Sequence, residues 1–219
     1  MSVKDGYLGA AERAVELLEA PEVAAAWERP SALEEMTVGG LAGHLAQQLF
    51  IVGSALQVCA DPGLRESGPA VVPIALLDHY ARAAWIDAPL DGEVNAGIRA
   101  KSEEIAAEGA PALAELARTV FAGQRARLAE CPGDQAVLLP HTGWALRLDD
   151  LLVTRMMEIA VHRDDLAVSV GLEVEELPEA AFDPVLVLLA RLAARRHGQA
   201  ALLRALTRAE RAPGAVNAF

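Results

Sequence analysis

Alternating runs of β-branched and aromatic residues do not recur in this 219-residue chain, and aromatics are only 4% of it. The 53% apolar content rests mainly on Ala and Leu, both good helix formers. An all-α fold is therefore expected. Basic charge is also scarce: 19 Lys and Arg against 31 Asp and Glu give 19 − 31 = −12. Nucleic acid and acidic membranes, which need clustered cations, are disfavoured as partners, and the acidic surface reads as solubilising. Cysteine is confined to Cys59 and Cys131, with no CxxC, so no disulfide scaffold is implied and a reducing compartment is the default. Long apolar runs are missing as well. The start MSVKDGYLGA has no apolar signal region, and polar residues interrupt every later hydrophobic stretch. Neither a signal peptide nor a membrane span is expected, and the localisation is expected to be cytoplasmic.

Helical apolar spacing runs over 5–20 and stops at Pro21, and a short segment follows to Pro30. Thr37 can cap a long helix, VGGLAGHLAQQLFIVGSALQVCA, ending before Asp61-Pro62-Gly63. Gly39, Gly40 and Gly43 weaken it locally, as befits a place where another helix or a ligand comes close. Residues 61–72 read as a loop, and Pro73 as the start of a short helix closed near Pro89. Helix is predicted from Glu93 to Glu130 with a break at Gly109-Ala110-Pro111, then a loop or short extended stretch over QAVLLPHTGWALRL. A helix over 149–170 ends on Gly171 as C-cap, and two more follow at 179–196 and 198–210. The sum is a bundle of four principal helices with short C-terminal additions: 1–172 as the bundle, 173–219 as an extension packed on the same domain.

Within 149–170, Glu158 and His162 are four apart and project from one helical face. Leu151, Arg155 and Asp165 extend the line, while the rest of the circumference is largely apolar. Such a stripe is either the solvent face or the lining of a polar cavity in a helix surrounded by others. In the second case Glu158 and His162 offer two ligands to one metal. His44, among small and apolar residues in GLAGHLAQQLF, is a candidate third ligand. Two His and one carboxylate leave a position open, the pattern of a catalytic zinc site.

The segments MTVGGLAGHLAQQLF and TRMMEIAVHRDDLAVSVGL resemble the mycothiol-dependent maleylpyruvate isomerase family, within the DinB/YfiT-like metal-binding four-helix bundles, and the tail RRHGQAALLRALTRAERAPGAVNAF is similar to that of single-domain members. The resemblance implies that His44, Glu158 and His162 hold a divalent metal, zinc first, nickel or another second. It also implies mycothiol as cosubstrate, consistent with an Ala-rich, Arg-over-Lys composition of high-GC actinobacterial type. The isomerase that names the family carries a second, C-terminal domain, so a different member reaction is expected here.

A metal in an open site deprotonates a bound thiol at neutral pH. The expected reaction is attack of that metal-bound thiolate on a small electrophile, by S-transfer or by thiol-assisted isomerisation. Arg155 is then a candidate to hold a substrate carboxylate, and Asp165 to orient a ligand from behind; ordinary surface roles stay open for both. Two alternatives stand beside this: a hydrolase using metal-activated water, with Asp165 or His141 as base, and a non-catalytic metal-stabilised binding module. His79 and His141 read as structural or pocket-lining, His197 as a helix-end contribution, and Cys59 and Cys131 as small buried hydrophobes. The C-terminal helices leave open a cover over the site or a homodimer interface.

Overall fold

The computed structural model describes residues 2–60, 72–139 and 142–219. The loop expected at 61–72 (all but Val72), His141 and the side chain of Cys59 lie outside the described residues. The helices are α1 (Val3–Leu18), α2 (Pro21–Ala25), α3 (Val38–Ala60), α4 (Leu76–Arg82), α5 (Glu93–Ala106), α6 (Ala110–Glu130), α7 (Leu148–Val170), α8 (Glu179–His197) and α9 (Gln199–Thr207). A 3₁₀ turn follows at Ala209–Arg211, and β1 (Ala136–Leu138) pairs antiparallel with β2 (Ala145–Arg147). No helix among the described residues is long and apolar enough to cross a membrane.

Local chemistry sets the helix ends. Ser2 and Asp5 form a reciprocal capping box at α1, two residues earlier than the apolar spacing suggests. The Thr37 hydroxyl accepts the Gly40 N–H at 2.9 Å and starts α3. Gly109, at φ 84°, separates α5 from α6, and Gly171, at φ 75°, closes α7. The helix expected from Pro73 begins only at Leu76. Its approach is instead extended, because the Ile74 N–H donates to the Ala145 carbonyl at 2.9 Å and Pro73 bridges to Ala145.

α1, α3, α6 and α7 make the four-helix bundle; α5 packs on α3, and α8 on α1 and α7. The α1 face is Tyr7, Ala10, Ala11, Ala14, Val15 and Leu18, all buried, a helical i, i+3, i+4, i+7 pattern. α3 is buried on most sides, with Leu41, Leu45, Leu49, Val52 and Leu56 fully enclosed. Polar groups are rare in this core, and most are paired; the Tyr80 hydroxyl and Arg163 Nη1 are buried without a partner. The Tyr7 hydroxyl donates to Gln124 Oε1 at 2.7 Å, and Gln124 Nε2 donates to the Leu49 carbonyl at 2.6 Å. That chain ties α1 and α6 to α3 with both side chains satisfied. Cys131 is buried, as expected.

Candidate metal centre

α7 is enclosed by α1, α3 and α8, so its polar stripe cannot face water over its whole length. The side chains of Glu158 and His162 are each only 16% exposed, which decides between the two readings of the stripe. From α3, His44 meets them with its ring edge-on to His162, centroids 4.5 Å apart. One ligand-grade atom from each of His44, Glu158 and His162 lies within 4.8 Å of the others. This is the only such group among the described residues.

The donor set suits a divalent metal because both imidazoles are oriented from behind. The Ser102 hydroxyl of α5 gives its proton to the Ile98 carbonyl at 2.8 Å, so its oxygen is left to accept from His44 Nδ1 at 3.2 Å. Nδ1 of His44 therefore carries the proton and Nε2 keeps its lone pair. His162 Nδ1 faces Asp165 Oδ2 at 3.1 Å, and its Nε2 faces Glu158 Oε2 at 3.2 Å. Such carboxylate or hydroxyl backing of a ligating His is the usual arrangement at metal sites.

Electrostatics follow the same geometry in the metal-free protein. Burial acts to raise the Glu158 pKa, but the His162 hydrogen bond and the charges of Arg155, His162 and His44 overcome it and hold it at about 2. For His162, burial lowers the pKa and the two carboxylates more than reverse that, lifting it to about 9. Burial and the neighbouring His162 push His44 down to about 4. Without a metal, His162 is thus a cation clamped between two carboxylates, while His44 is neutral.

Arg155 lies beside this group, 13% exposed, its Nη2 4.0 Å from Glu158 Oε1. Its Nε donates to Thr154 Oγ1 at 3.0 Å and its Nη1 to Gln48 Oε1; Gln48 in turn donates to the His44 carbonyl at 2.8 Å. Arg155 therefore links α7 to the His44 turn of α3, a role that sequence spacing did not indicate. Ser102 was also missed, because nothing in the α5 pattern marks it apart from its neighbours.

Glycines on α3 make this packing feasible. A Cβ on Gly43 would collide with the Ser102 carbonyl, and one on Gly40 with the Glu103 carboxylate. Gly43→Ala gains about 1 kcal/mol of helix propensity, but must displace backbone that also carries the His44 partner. A net loss of about 1–2 kcal/mol is expected, read as a Tm lowered by several degrees, with weaker metal retention as Ser102 moves off His44.

α4 and the β-hairpin bring further groups near. The Trp144 indole N–H donates to His79 Nδ1 at 3.2 Å, the His79 and Tyr80 rings are edge-on at 5.1 Å, and Arg82 sits 5.7 Å from the Trp144 ring. Burial and Arg155 push His79 down to about 4. His197, expected to cap its helix, instead faces the Asn217 carbonyl through Nε2 at 2.9 Å. In the shallow cleft between α1 and residues 172–175, Arg13 pairs with Glu16 and Glu175.

Comparison with known proteins agrees with this architecture. A crystal structure of a mycothiol-dependent maleylpyruvate isomerase superposes with a TM-score of 0.55 at 17% identity, covering 89% of this chain and 69% of that one. No curated protein matches the sequence. The family model for the mycothiol maleylpyruvate isomerase N-terminal domain matches residues 7–167, a span that includes His44, Glu158 and His162. The chain belongs to the mycothiol maleylpyruvate isomerase N-terminal domain family.

Proposed function

We propose that this protein is a metal-dependent enzyme that uses a low-molecular-weight thiol, mycothiol or a close relative, to attack a small electrophile by S-transfer or thiol-assisted isomerisation. The observation that carries this is the convergence of His44, Glu158 and His162, each imidazole already backed through its other nitrogen. Two imidazoles and a carboxylate fit zinc with one position left open. A divalent ion held there supplies the positive charge that makes a thiol ionise at neutral pH.

The chain's own residues do the rest. Ser102 and Asp165 hold the imidazoles in the tautomers that present Nε2. Arg155, placed against Glu158 and anchored by Gln48 and Thr154, leaves guanidinium N–H groups for an anionic substrate oxygen. On this reading residues 1–172 hold the site, and 173–219 support it through the packing of α8 on α1 and α7. Asp165 is engaged with His162, which does not favour it as the free base that a hydrolase would require.

The experiment is a thiol titration of Co²⁺-substituted protein. Addition of mycothiol, or of a simple alkyl thiol, is expected to produce a sulfur-to-cobalt charge-transfer band that saturates at one equivalent per metal. A spectrum unmoved by either thiol, with cobalt retained, would count against thiol chemistry and leave a metal-stabilised binding module.

A further inference from the structure

α8 packs on α1 and α7 and buries Ala181, Val185, Leu188 and Leu192. Its outer face is not the polar surface expected of a helix at the edge of a bundle. Phe182, Leu186 and Val187 stand a turn apart there and are 50%, 52% and 55% exposed. On either side of this apolar centre lies an exposed charge, and the two are of opposite sign. Asp183 is four residues before Val187 and Arg191 four residues after it, at spacings that keep all three on one side of the helix. Among the described residues, neither Asp183 nor Arg191 makes a hydrogen bond or an ion pair. One turn further out the signs repeat, with Glu179 before and Arg195 after, although Arg195 also reaches the Leu77 carbonyl and Asp78. The helix dipole favours acids in the first turn and bases in the last, but its influence fades beyond those turns. Asp183 and Arg191 lie inboard of both.

We propose that the outer face of α8 is a dimer interface, on which a second copy of this chain lays its own α8 antiparallel about a two-fold axis near Val187. Such an axis brings the apolar centres together and sets each Asp183 against the partner's Arg191. A two-fold interface must be complementary to itself, and opposite charges at equal distances from an apolar centre meet that condition. A face made for an unrelated protein has no need of it. Two copies laid parallel would set like charges against each other, which disfavours that arrangement. The net charge of −12 disfavours an anionic lipid surface as the occupant. A single helix pair buries less than the roughly 800 Å² per partner of a standard interface, so a weak dimer with a Kd on the order of 10 µM is expected. The face is the one that α8 turns away from α1 and α7, so the inference stands apart from the thiol-enzyme reading.

The test is sedimentation of the full-length protein from about 1 µM to about 500 µM, a range that brackets the expected Kd. Wild type is expected to pass from one chain to two as concentration rises. Asp183→Arg makes both flanking positions basic, and Arg191→Asp makes both acidic. Each substitution enters a two-fold interface twice, so each variant alone is expected to associate about a hundredfold more weakly. An equimolar mixture of the two variants restores opposite charges at every contact and is expected to dimerise with near wild-type affinity. Wild type that stays a single chain throughout the range would overturn the proposal. Dimers that persist in both variants would place the interface elsewhere, and a mixture that stays monomeric would deny the antiparallel pairing; either result overturns it too. Both substituted positions are exposed and unpartnered, so the Tm at the lowest concentration is expected to match wild type. A Tm lowered by several degrees in both variants would show that these charges serve the fold of the single chain, and would also overturn the proposal.

Discussion

Zinc-reconstituted wild-type protein is expected to hold close to one ion per chain, and His44→Ala and Glu158→Gln to hold almost none after dialysis. Elemental analysis checks this directly. Each variant removes one of the three proposed ligands, and the remaining pair would have to hold the ion on two bonds. Glu158→Gln is the more informative change, because its amide keeps the volume and can still accept a hydrogen bond from His162 while being a far poorer ligand than a carboxylate. Loss of zinc without loss of fold is then a statement about coordination. Ser102→Ala and Asp165→Asn leave all three ligands in place and only release an imidazole from its backing group. They are expected to weaken affinity about 10–100-fold, measured by competition with a chelator. This ordering, ligands above backing groups, separates a metal centre from an ion pair. If the three residues merely formed a charge cluster, zinc content would be low in wild type and Asp165→Asn would behave no differently from Glu158→Gln.

The helices and the pairing of Glu158 with His162 as candidate ligands on α7 were legible in the sequence because they obey a local rule. Four-residue spacing places Glu158 and His162 on one face whatever surrounds them. Which way that face points is not local. It depends on α3 and α5, which bring His44 onto His162 and Ser102 behind His44. His44 was legible only through its motif, since a lone His on an apolar helix carries no directional signal. Ser102, Gln48 and the Tyr80–His79–Trp144 group were not legible, as each acts through a contact across the bundle between residues far apart in sequence. Ser102 reaches His44 because Gly43 lets α5 approach; the glycine was visible as a point of close approach, but its partner was not. The start of α4 was misplaced for a related reason. Pro73 is a good first residue for a helix, yet the pairing of its neighbour Ile74 with β2 takes precedence.

Metal-free protein is expected to lose stability as pH rises from 6.5 to 9, and the zinc-loaded protein is not. In the folded metal-free state His162 binds its proton more tightly than an unfolded His does, with a pKa of about 9 against 6.5. A raised folded pKa contributes stability that is complete below the unfolded value and is lost as pH climbs through the folded one. The gap between the two bounds the effect at roughly 3 kcal/mol, and Asp165→Asn, which removes one of the two carboxylate partners, should reduce it. On the acid side the sign reverses. His44 and His79, both held at about 4, bind protons more readily when unfolded, so their contribution is complete above 6.5 and is lost as pH falls toward 4. Glu158, held at about 2, adds a further loss as pH falls below 4.5 toward that value. The metal-free protein should therefore show its highest Tm near pH 6–7, with a descending limb on either side. A divalent ion held by His44, Glu158 and His162 would take His162 out of titration near neutrality, and so abolish the alkaline limb while stabilising the fold by mass action. Thermal melts of both forms across pH 4–9 check this. Parallel alkaline limbs in the two forms would mean that the metal does not bind through His162.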